Sequence, residues 1–151
     1  MFIINNFLTH QECDFVLSYY GNNSDKIFEF EGTYPIKLDT DILTNIPKFT
    51  ELLNKIDLEV RKNFTESMTL DNYEIVKWPS MSERDYHYEE PDKCAFFCYL
   101  NDDFTGGEII VSDTVVQPEK GKLLYFDNGQ LAHKVNKIIT GDRFTLAGWY
   151  I

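Results

Sequence analysis

The sequence is short of basic residues and of long apolar runs, and both shortages exclude classes of protein. Its 14 Lys and Arg residues oppose 25 Asp and Glu residues, which gives a net charge of −11. Such a charge repels nucleic acid and anionic membrane surfaces. The longest nearly unbroken apolar stretch, residues 94–100, is far shorter than the ~20 residues of a transmembrane helix. Residues 1–12 contain no Lys or Arg and no signal-peptide core. We therefore expect a cytoplasmic protein that binds neither membranes nor nucleic acid.

Cysteine is also scarce, and this argues against a disulfide framework. The three cysteines, Cys13, Cys94 and Cys98, are an odd number, and a chain rich in aromatic residues does not need covalent staples. Cys94 and Cys98 would share one face of a strand without the spacing of metal ligands. We expect all three to be reduced residues of the core.

The first half of the sequence predicts helices that support a sheet. With 151 residues, of which 43% are hydrophobic, we expect a single domain, 1–151. The pattern Thr9-x-x-Glu12 is a capping box that opens a helix through about Tyr20. Apolar residues at spacings of three and four predict a longer helix over 46–66. Short strands are predicted at three places, residues 2–4, 27–30 and 34–38.

The second half of the sequence predicts one strand after another. Each candidate has four to nine residues bounded by Gly, Pro, Asn or Asp. The candidates are residues 73–78, 93–100, 108–112, 122–126, 131–135 and 143–151. Many short strands without an intervening helix indicate an antiparallel sandwich or barrel, most often a jelly roll. We expect 70–151 to form this core, 1–69 to cover the larger sheet, and a ligand to bind at the barrel mouth.

Two of the three histidines have the context of metal ligands. His10 precedes Glu12 at a helix start, where positions i and i+2 point in different directions. His87 and Glu89 lie among strands, where i and i+2 project from one face, and His133 can supply a third ligand. Two histidines and one carboxylate form the facial triad of non-haem Fe(II) oxygenases. Taken singly, His87 would be a half-buried polar residue and His133 an ordinary strand histidine.

A basic residue follows the last histidine at a sequence spacing that allows both to lie at one site. Arg143 comes ten residues after His133, past the turn signal at Gly141. A strand that folds back there would place a guanidinium beside the predicted metal, where it could bind a carboxylate with two hydrogen bonds. A dicarboxylic keto acid has the matching shape.

In these features the sequence resembles the Fe(II)- and 2-oxoglutarate-dependent dioxygenases of the prolyl 4-hydroxylase type. The resemblance rests on the order and spacing of short motifs that follow the His87-x-Glu89 pair. These motifs are Tyr99-Leu100-Asn101, Gly106-Gly107-Glu108, Pro118-x-x-Gly121, Leu131-x-His133, Gly141-x-Arg143 and Gly148-Trp149. The opening strand and helix are similar as well. The resemblance implies a mainly β fold with α-helices, a double-stranded β-helix (a cupin-like jelly roll) with two supporting helices on the larger sheet.

The resemblance also implies roles for single residues. His87, Glu89 and His133 match the iron ligands, and Arg143 matches the residue that pairs with the distal carboxylate of 2-oxoglutarate. Tyr99 matches a tyrosine whose hydroxyl reaches the same co-substrate.

Other positions match the co-substrate pocket less specifically. Ile109 matches an apolar wall residue of that pocket. Trp149 is either a pocket residue or plain core, and Gly106-Gly107 alone would be only a loop that needs glycine torsions.

Two positions depart from the family pattern. The carboxylate ligand is usually Asp, whereas this chain has Glu89, and Asp85 on the same strand face is the alternative ligand. Trp78 occupies a position that often holds a co-substrate tyrosine, and an indole cannot accept a hydrogen bond.

The resemblance implies hydroxylation of a C–H bond with Fe(II), 2-oxoglutarate and O2, supported by ascorbate, and release of succinate and carbon dioxide. We expect a prolyl or other residue of a protein or peptide as the substrate. Oxidation of a small molecule and a non-catalytic metal-binding jelly roll are the alternatives. Residues 25–40 and 80–86 are the expected lids over the site.

Overall fold

The computed structural model describes residues 1–64, 67–89 and 92–151. Its α-helices are α1 (His10–Asn22), α2 (Thr40–Asn45) and α3 (Pro47–Val60), with a 3-10 turn at Ser24–Lys26. The strands of the first half and the centre are β1 (Phe2–Ile4), β2 (Tyr34–Lys37), β3 (Leu70–Trp78), β4 (Arg84–His87), β5 (Cys94–Tyr99) and β6 (Thr105–Gly106). The remaining strands are β7 (Ile109–Val111), β8 (Thr114–Val116), β9 (Leu123–Asp127), β10 (His133–Val135), β11 (Ile138–Thr140) and β12 (Arg143–Tyr150).

Two antiparallel sheets form the predicted jelly roll. The larger sheet has the order β1-β9-β5-β12-β3-β2, and the smaller one has the order β4-β10-β7-β8. A short ribbon pairs β11 with β6. The order follows no simple up-and-down succession, because strands distant in sequence, such as β5 and β12, are neighbours. This arrangement brings the last residue of β4 close to the first residues of β10 and β12.

The alternation of side chains along the larger sheet separates two cores. On β5, Phe96 and Cys98 face the helices, whereas Phe97 and Tyr99 face the smaller sheet. On β12, Leu146 faces the helices. The helix side also contains Cys13 and Cys94, so the three cysteines are buried in this core as predicted. The opposite face of the same strands remains for the functional site.

The supporting helices follow the sequence signals closely. Thr9 caps α1 through both bonds of the capping box, since Glu12 N donates to Thr9 Oγ1 at 3.1 Å and Thr9 N donates to Glu12 Oε2 at 2.9 Å. Lys55 of α3 bonds the same Oε2 at 3.0 Å and ties the two helices together. The predicted apolar stripe of α3 is buried, and it consists of Phe49, Leu52, Leu53, Ile56 and Val60. The prediction of 46–66 was too long, because α3 ends at Val60; residues 65 and 66 lie outside the described residues.

The predicted strand at 27–30 is wrong. Only a single bridge joins Phe30 to Thr33, around a turn in which Glu31 and Gly32 have φ of 48° and 79°. The apolar alternation of Phe28 and Phe30 around Glu29 imitates a strand over too few residues to be specific. In the same way, short strands such as β6 and β8 escape sequence patterns.

No helix in the part of the chain that the structure describes is both long enough and apolar enough to cross a membrane.

Candidate metal and co-substrate site

Two histidines lie side by side at the edge of the smaller sheet. His87 ends β4 and His133 begins β10, and the two residues are partners in the register of these strands. Their ring centroids are 4.1 Å apart. Glu89 follows His87 by two positions and brings Oε1 to 3.3 Å from His87 Nε2. One ligand atom from each of the three residues lies within 4.8 Å of the others. The group therefore has the donors and the spacing of a two-histidine, one-carboxylate metal site.

Both imidazoles are held with Nε2 free. His87 Nδ1 pairs with the carbonyl of Asp85 at 2.8 Å, and His133 Nδ1 pairs with the carbonyl of Leu131 at 3.4 Å. A proton on Nδ1 that is donated to a carbonyl leaves the lone pair on Nε2 for a metal. Burial, together with the charge of His87, lowers the pKa of His133 to about 4. His133 is thus neutral, the form that binds a metal, throughout the physiological range.

The carboxylate of Glu89 is held in its ionised form. Burial opposes ionisation, but the contact with His87 and the hydrogen bond from Asn128 outweigh it and lower the pKa of Glu89. Asn128 Nδ2 donates to Glu89 Oε2 at 3.2 Å, and Arg84 Nη2 lies 3.9 Å from Oε1. The exposed side chain of Asp85, the alternative carboxylate, does not belong to the cluster among the described residues. Asp85 contributes its backbone carbonyl instead.

Arg143 is a buried cation whose hydrogen-bonding capacity is unused. It begins β12 opposite Trp78 of β3, and its side chain is only 1% exposed. Within the described part of the chain, Nε and both Nη atoms of Arg143 and the hydroxyl of Tyr99 have no hydrogen-bond partner. The guanidinium carbon lies 5.2 Å from the ring centroids of both Trp78 and Tyr99. Burial lowers the pKa of Arg143, while Tyr99 raises it. A buried guanidinium with free donors fits the carboxylate of a bound acid.

Gly107 makes room for this arginine. Its φ is +69°, and a Cβ built on it would lie 3.0 Å from Arg143 Cδ. The Gly106-Gly107 pair therefore has a specific role beyond that of a flexible loop, since a side chain at Gly107 would displace the guanidinium.

The triad and the arginine line one small cavity. It has a volume of about 50 Å³, and Ile109, Trp78 and Trp149 contribute to its walls. The cavity also contains residues that the sequence did not indicate, namely Arg84, Phe97 and Val135. Of the remaining predicted residues, His10 is exposed at the start of α1, as expected for a residue outside the site.

A much larger groove adjoins the cavity. Its volume is about 630 Å³, and it shares Trp78, Arg84, Glu89, Phe97 and Trp149 with the cavity. The segment before β2 contributes Phe28 and Phe30 to the lining of this groove.

The two predicted lids contribute unequally to this groove. Four residues of 25–40 line it, Phe28, Phe30, Thr33 and Lys37, whereas Arg84 is the single lining residue that 80–86 contributes. Glu31 Oε2, at the tip of the first segment, lies 3.3 Å from Arg84 Nη1 and joins the two segments above the site.

Comparison with known families decides the class of the protein. The model of the 2OG-Fe(II) oxygenase superfamily matches residues 71–151, which include the triad, Arg143 and all of strands β4 to β12. The chain belongs to this superfamily. It is an oxygenase that uses Fe(II), 2-oxoglutarate and O2. No curated protein is similar enough in sequence to be recognised as a relative.

Solved structures share the fold of this oxygenase at low sequence identity. A prolyl hydroxylase from Trichoplax adhaerens, in complex with a hypoxia inducible factor peptide fragment, has a TM-score of 0.81 and 18% identity, over 99% of this chain and 82% of that chain. A Pseudomonas putida prolyl-4-hydroxylase has a TM-score of 0.78 and 15% identity, over 99% and 90%. The viral collagen prolyl hydroxylase of Paramecium bursaria Chlorella virus-1, in its 2OG complex, has a TM-score of 0.74 and 14% identity, over 99% and 93%.

Proposed function

We propose that this oxygenase hydroxylates a prolyl residue within a peptide or protein. In this proposal His87, Glu89 and His133 bind Fe(II), and Arg143 binds the distal carboxylate of 2-oxoglutarate. The observation that carries it is the position of the triad and the unpaired, buried guanidinium in one cavity at the floor of a long groove.

The residues of the site fit the cofactor and the co-substrate. Fe(II), 2-oxoglutarate and O2 together supply the oxidising chemistry, in which the keto acid becomes succinate and carbon dioxide and one oxygen atom enters the C–H bond of the substrate. Neutral Nε2 atoms and an ionised carboxylate are the donors that Fe(II) binds. Arg143 orients the co-substrate by its far end. Apolar side chains such as Ile109 and Val135 exclude water from the reacting atoms.

The groove favours an extended peptide over a free metabolite as the substrate. Its volume of about 630 Å³ exceeds what one amino acid would occupy. Phe28, Phe30 and Tyr88 line it with aromatic rings, and aromatic grooves bind proline-containing segments in an extended conformation at a low entropic cost. The Trichoplax enzyme, which has the same fold, was solved with a peptide fragment of hypoxia inducible factor. The net charge of −11 favours a basic peptide.

Peptide hydroxylation is tested by incubating the protein with Fe(II), 2-oxoglutarate, ascorbate and a library of proline-containing peptides. We expect a mass increase of one oxygen atom on a prolyl residue, accompanied by one succinate per event. His133→Ala should abolish both products. Asp85→Asn is the matched control, because it alters a neighbouring exposed side chain but keeps the backbone carbonyl that orients His87, and it should retain activity.

The alternatives give different results in the same assay. Oxygen incorporation into free proline or another amino acid, with no peptide modified, would favour small-molecule oxidation. Metal binding without any succinate, even in long incubations without substrate, would indicate a non-catalytic module and contradict the proposal.

A further inference from the structure

Asn128 lies at the metal site although neither the sequence motifs nor the family pattern assigned it a role. It follows β9 directly, and its side chain is 0% exposed. Its backbone N–H donates to the carbonyl of Lys93 at 3.2 Å, next to the start of β5. Asp127 closes the turn that follows, since its carbonyl accepts from Leu131 N at 3.1 Å and its Oδ1 accepts from Gln130 N at 3.0 Å. The backbone of Asn128 is therefore held on both sides.

This turn orients two of the three ligands. The carbonyl of Leu131 pairs with His133 Nδ1, and the amide of Asn128 donates to Glu89 Oε2 at 3.2 Å. With Oε2 held by the amide, Oε1 is directed toward His87 Nε2, 3.3 Å away. Oε2 therefore accepts the hydrogen bond from Asn128, and Oε1 remains available for a metal.

A glutamate ligand needs such a restraint more than an aspartate does. The extra methylene of Glu89 adds a rotatable bond, and ordering it costs conformational entropy. Arg84 is the other donor near the carboxylate, but its Nη2 is 3.9 Å from Oε1 and its Nη1 is closer to Glu31, at 3.3 Å. Asn128 therefore makes the shorter and better buried contact with Glu89.

The amide oxygen of Asn128 indicates that packing alone does not explain an asparagine at this position. Within the described residues, Oδ1 of Asn128 is buried without a hydrogen-bond partner. An apolar side chain of the same size would avoid this unfavourable burial of a polar atom. An asparagine at this position is explained by its contact with Glu89.

We propose that Asn128 is a positioning residue that allows glutamate to serve as the carboxylate ligand of this oxygenase. It acts through Glu89 and does not itself bind the metal. The inference rests on the assignment of the triad in the proposed function.

The test measures metal affinity, which is separate from turnover. Co(II) is titrated into the metal-free protein by calorimetry, and the visible spectrum of bound Co(II) reports the geometry of the site. Asn128→Leu, which keeps the number and branching of the side-chain heavy atoms and removes the amide, should weaken Co(II) binding about 10- to 100-fold, the range found when groups behind metal ligands are removed. The Co(II) spectrum should change, while the melting temperature without metal should stay equal or rise.

A second asparagine supplies the matched control. Asn136 Nδ2 donates to Glu108 Oε2 at the same distance, 3.2 Å, just past the end of β10 and outside the ligand cluster. Asn136→Leu should leave the Co(II) affinity and spectrum unchanged. An equal loss in both variants would overturn the proposal, because it would show a general effect of breaking Asn–Glu bonds.

The dependence on glutamate is tested by a double-mutant cycle. Glu89→Asp shortens the side chain so that its carboxylate cannot both reach Asn128 and bind the metal. Adding Asn128→Leu to this variant should then weaken Co(II) binding much less than it does in the wild-type background. Equal losses in the two backgrounds would refute the positioning role. Asn128→Ala, which cannot clash, replaces the leucine variant if the latter does not fold. Wild-type protein that fails to bind Co(II) would contradict the triad itself, whereas wild-type affinity in the Asn128 variants would contradict only this inference.

Discussion

Arg143 provides the most demanding test of the site, because its replacement should stabilise the protein while abolishing co-substrate binding. The side chain is 1% exposed, and none of its three nitrogen atoms has a hydrogen-bond partner in the described part of the chain. Until an anion is bound, such a charge is an unfavourable feature of the fold. Arg143→Met keeps most of the apolar length of the side chain and removes the charge.

The size of both effects follows from the contacts of Arg143. Unpaired buried donors cost about 1–3 kcal/mol, more when charged, and the faces of Trp78 and Tyr99, each 5.2 Å away, return about 0.5–2 kcal/mol. We therefore expect Arg143→Met to raise the free energy of unfolding by about 1–4 kcal/mol. Loss of the charged partner of a carboxylate costs about 2–5 kcal/mol, so the Kd for 2-oxoglutarate should rise by about 30- to 5,000-fold.

Thermal denaturation measures both quantities in one experiment. With Ni(II) in place of Fe(II), the melting temperature is recorded with and without 2-oxoglutarate. Each kcal/mol of stability corresponds to about 2–4 °C for a chain of this size, and saturating ligand should raise the melting temperature of the wild type only. Arg61→Met, which removes an exposed cation paired with Asp57, serves as the control and should not be stabilised. If Arg143→Met is less stable than the wild type without ligand, or still responds to 2-oxoglutarate, the assignment of Arg143 is wrong.

Three further predictions concern the surroundings of this arginine and the triad. The lowered pKa of His133, about 4, means that between pH 6.5 and 4 the unfolded chain binds a proton that the folded chain does not bind. The free energy of unfolding of the metal-free protein should therefore fall by a few kcal/mol as the pH drops through this window. Urea unfolding of His133→Phe should lack this part of the pH dependence. Gly107→Ala should lower stability by about 1–2 kcal/mol because of its φ of +69° and should also weaken 2-oxoglutarate binding by displacing Arg143. Gly32→Ala, at φ +79° with no atom within 4 Å, should show only the loss of stability, and equal ligand affinities in the two variants would contradict the steric role. Trp78→Leu removes one of the two rings over the guanidinium and should raise the Kd for 2-oxoglutarate about 2- to 30-fold, as measured by calorimetry; an unchanged Kd would leave Trp78 as a wall residue.

The sequence predicted those parts of the fold that local patterns encode. The capping box at Thr9 and the apolar stripe of α3 are local signals, and the structure confirms both helices. The segment 27–30 has a similar alternation, but it pairs only through the single bridge from Phe30 to Thr33 and therefore does not form a strand. Strands of two or three residues, such as β6 and β8, present too few positions for an alternation to be recognised.

The site was predictable to the extent that its residues lie in motifs. The spacing of His87 and Glu89 is a local feature of a strand end. The sequence also offered His133 as a third ligand and Arg143, ten residues later, as a cation, and the family resemblance then assigned their roles. Asn128 escaped prediction because its partner lies 39 positions away in sequence, and only the pairing of β5 with β9 brings the two segments together. Contacts of this kind depend on sheet topology, which no pattern within one segment encodes.

The strong negative charge of the chain and its anionic co-substrate are compatible because they act over different distances. Charges on the exterior are screened over about 8 Å at physiological ionic strength, whereas a guanidinium in a cavity with apolar walls acts at short range in a medium of low polarisability. The net charge of −11 therefore bears on the approach of a macromolecular substrate, for which it favours basic peptides. Binding of 2-oxoglutarate would depend on the metal at one end and on Arg143 at the other, where the free donors and the adjacent hydroxyl of Tyr99 are already in place. The acidic exterior and the buried guanidinium of Arg143 would thus select two different molecules at one site.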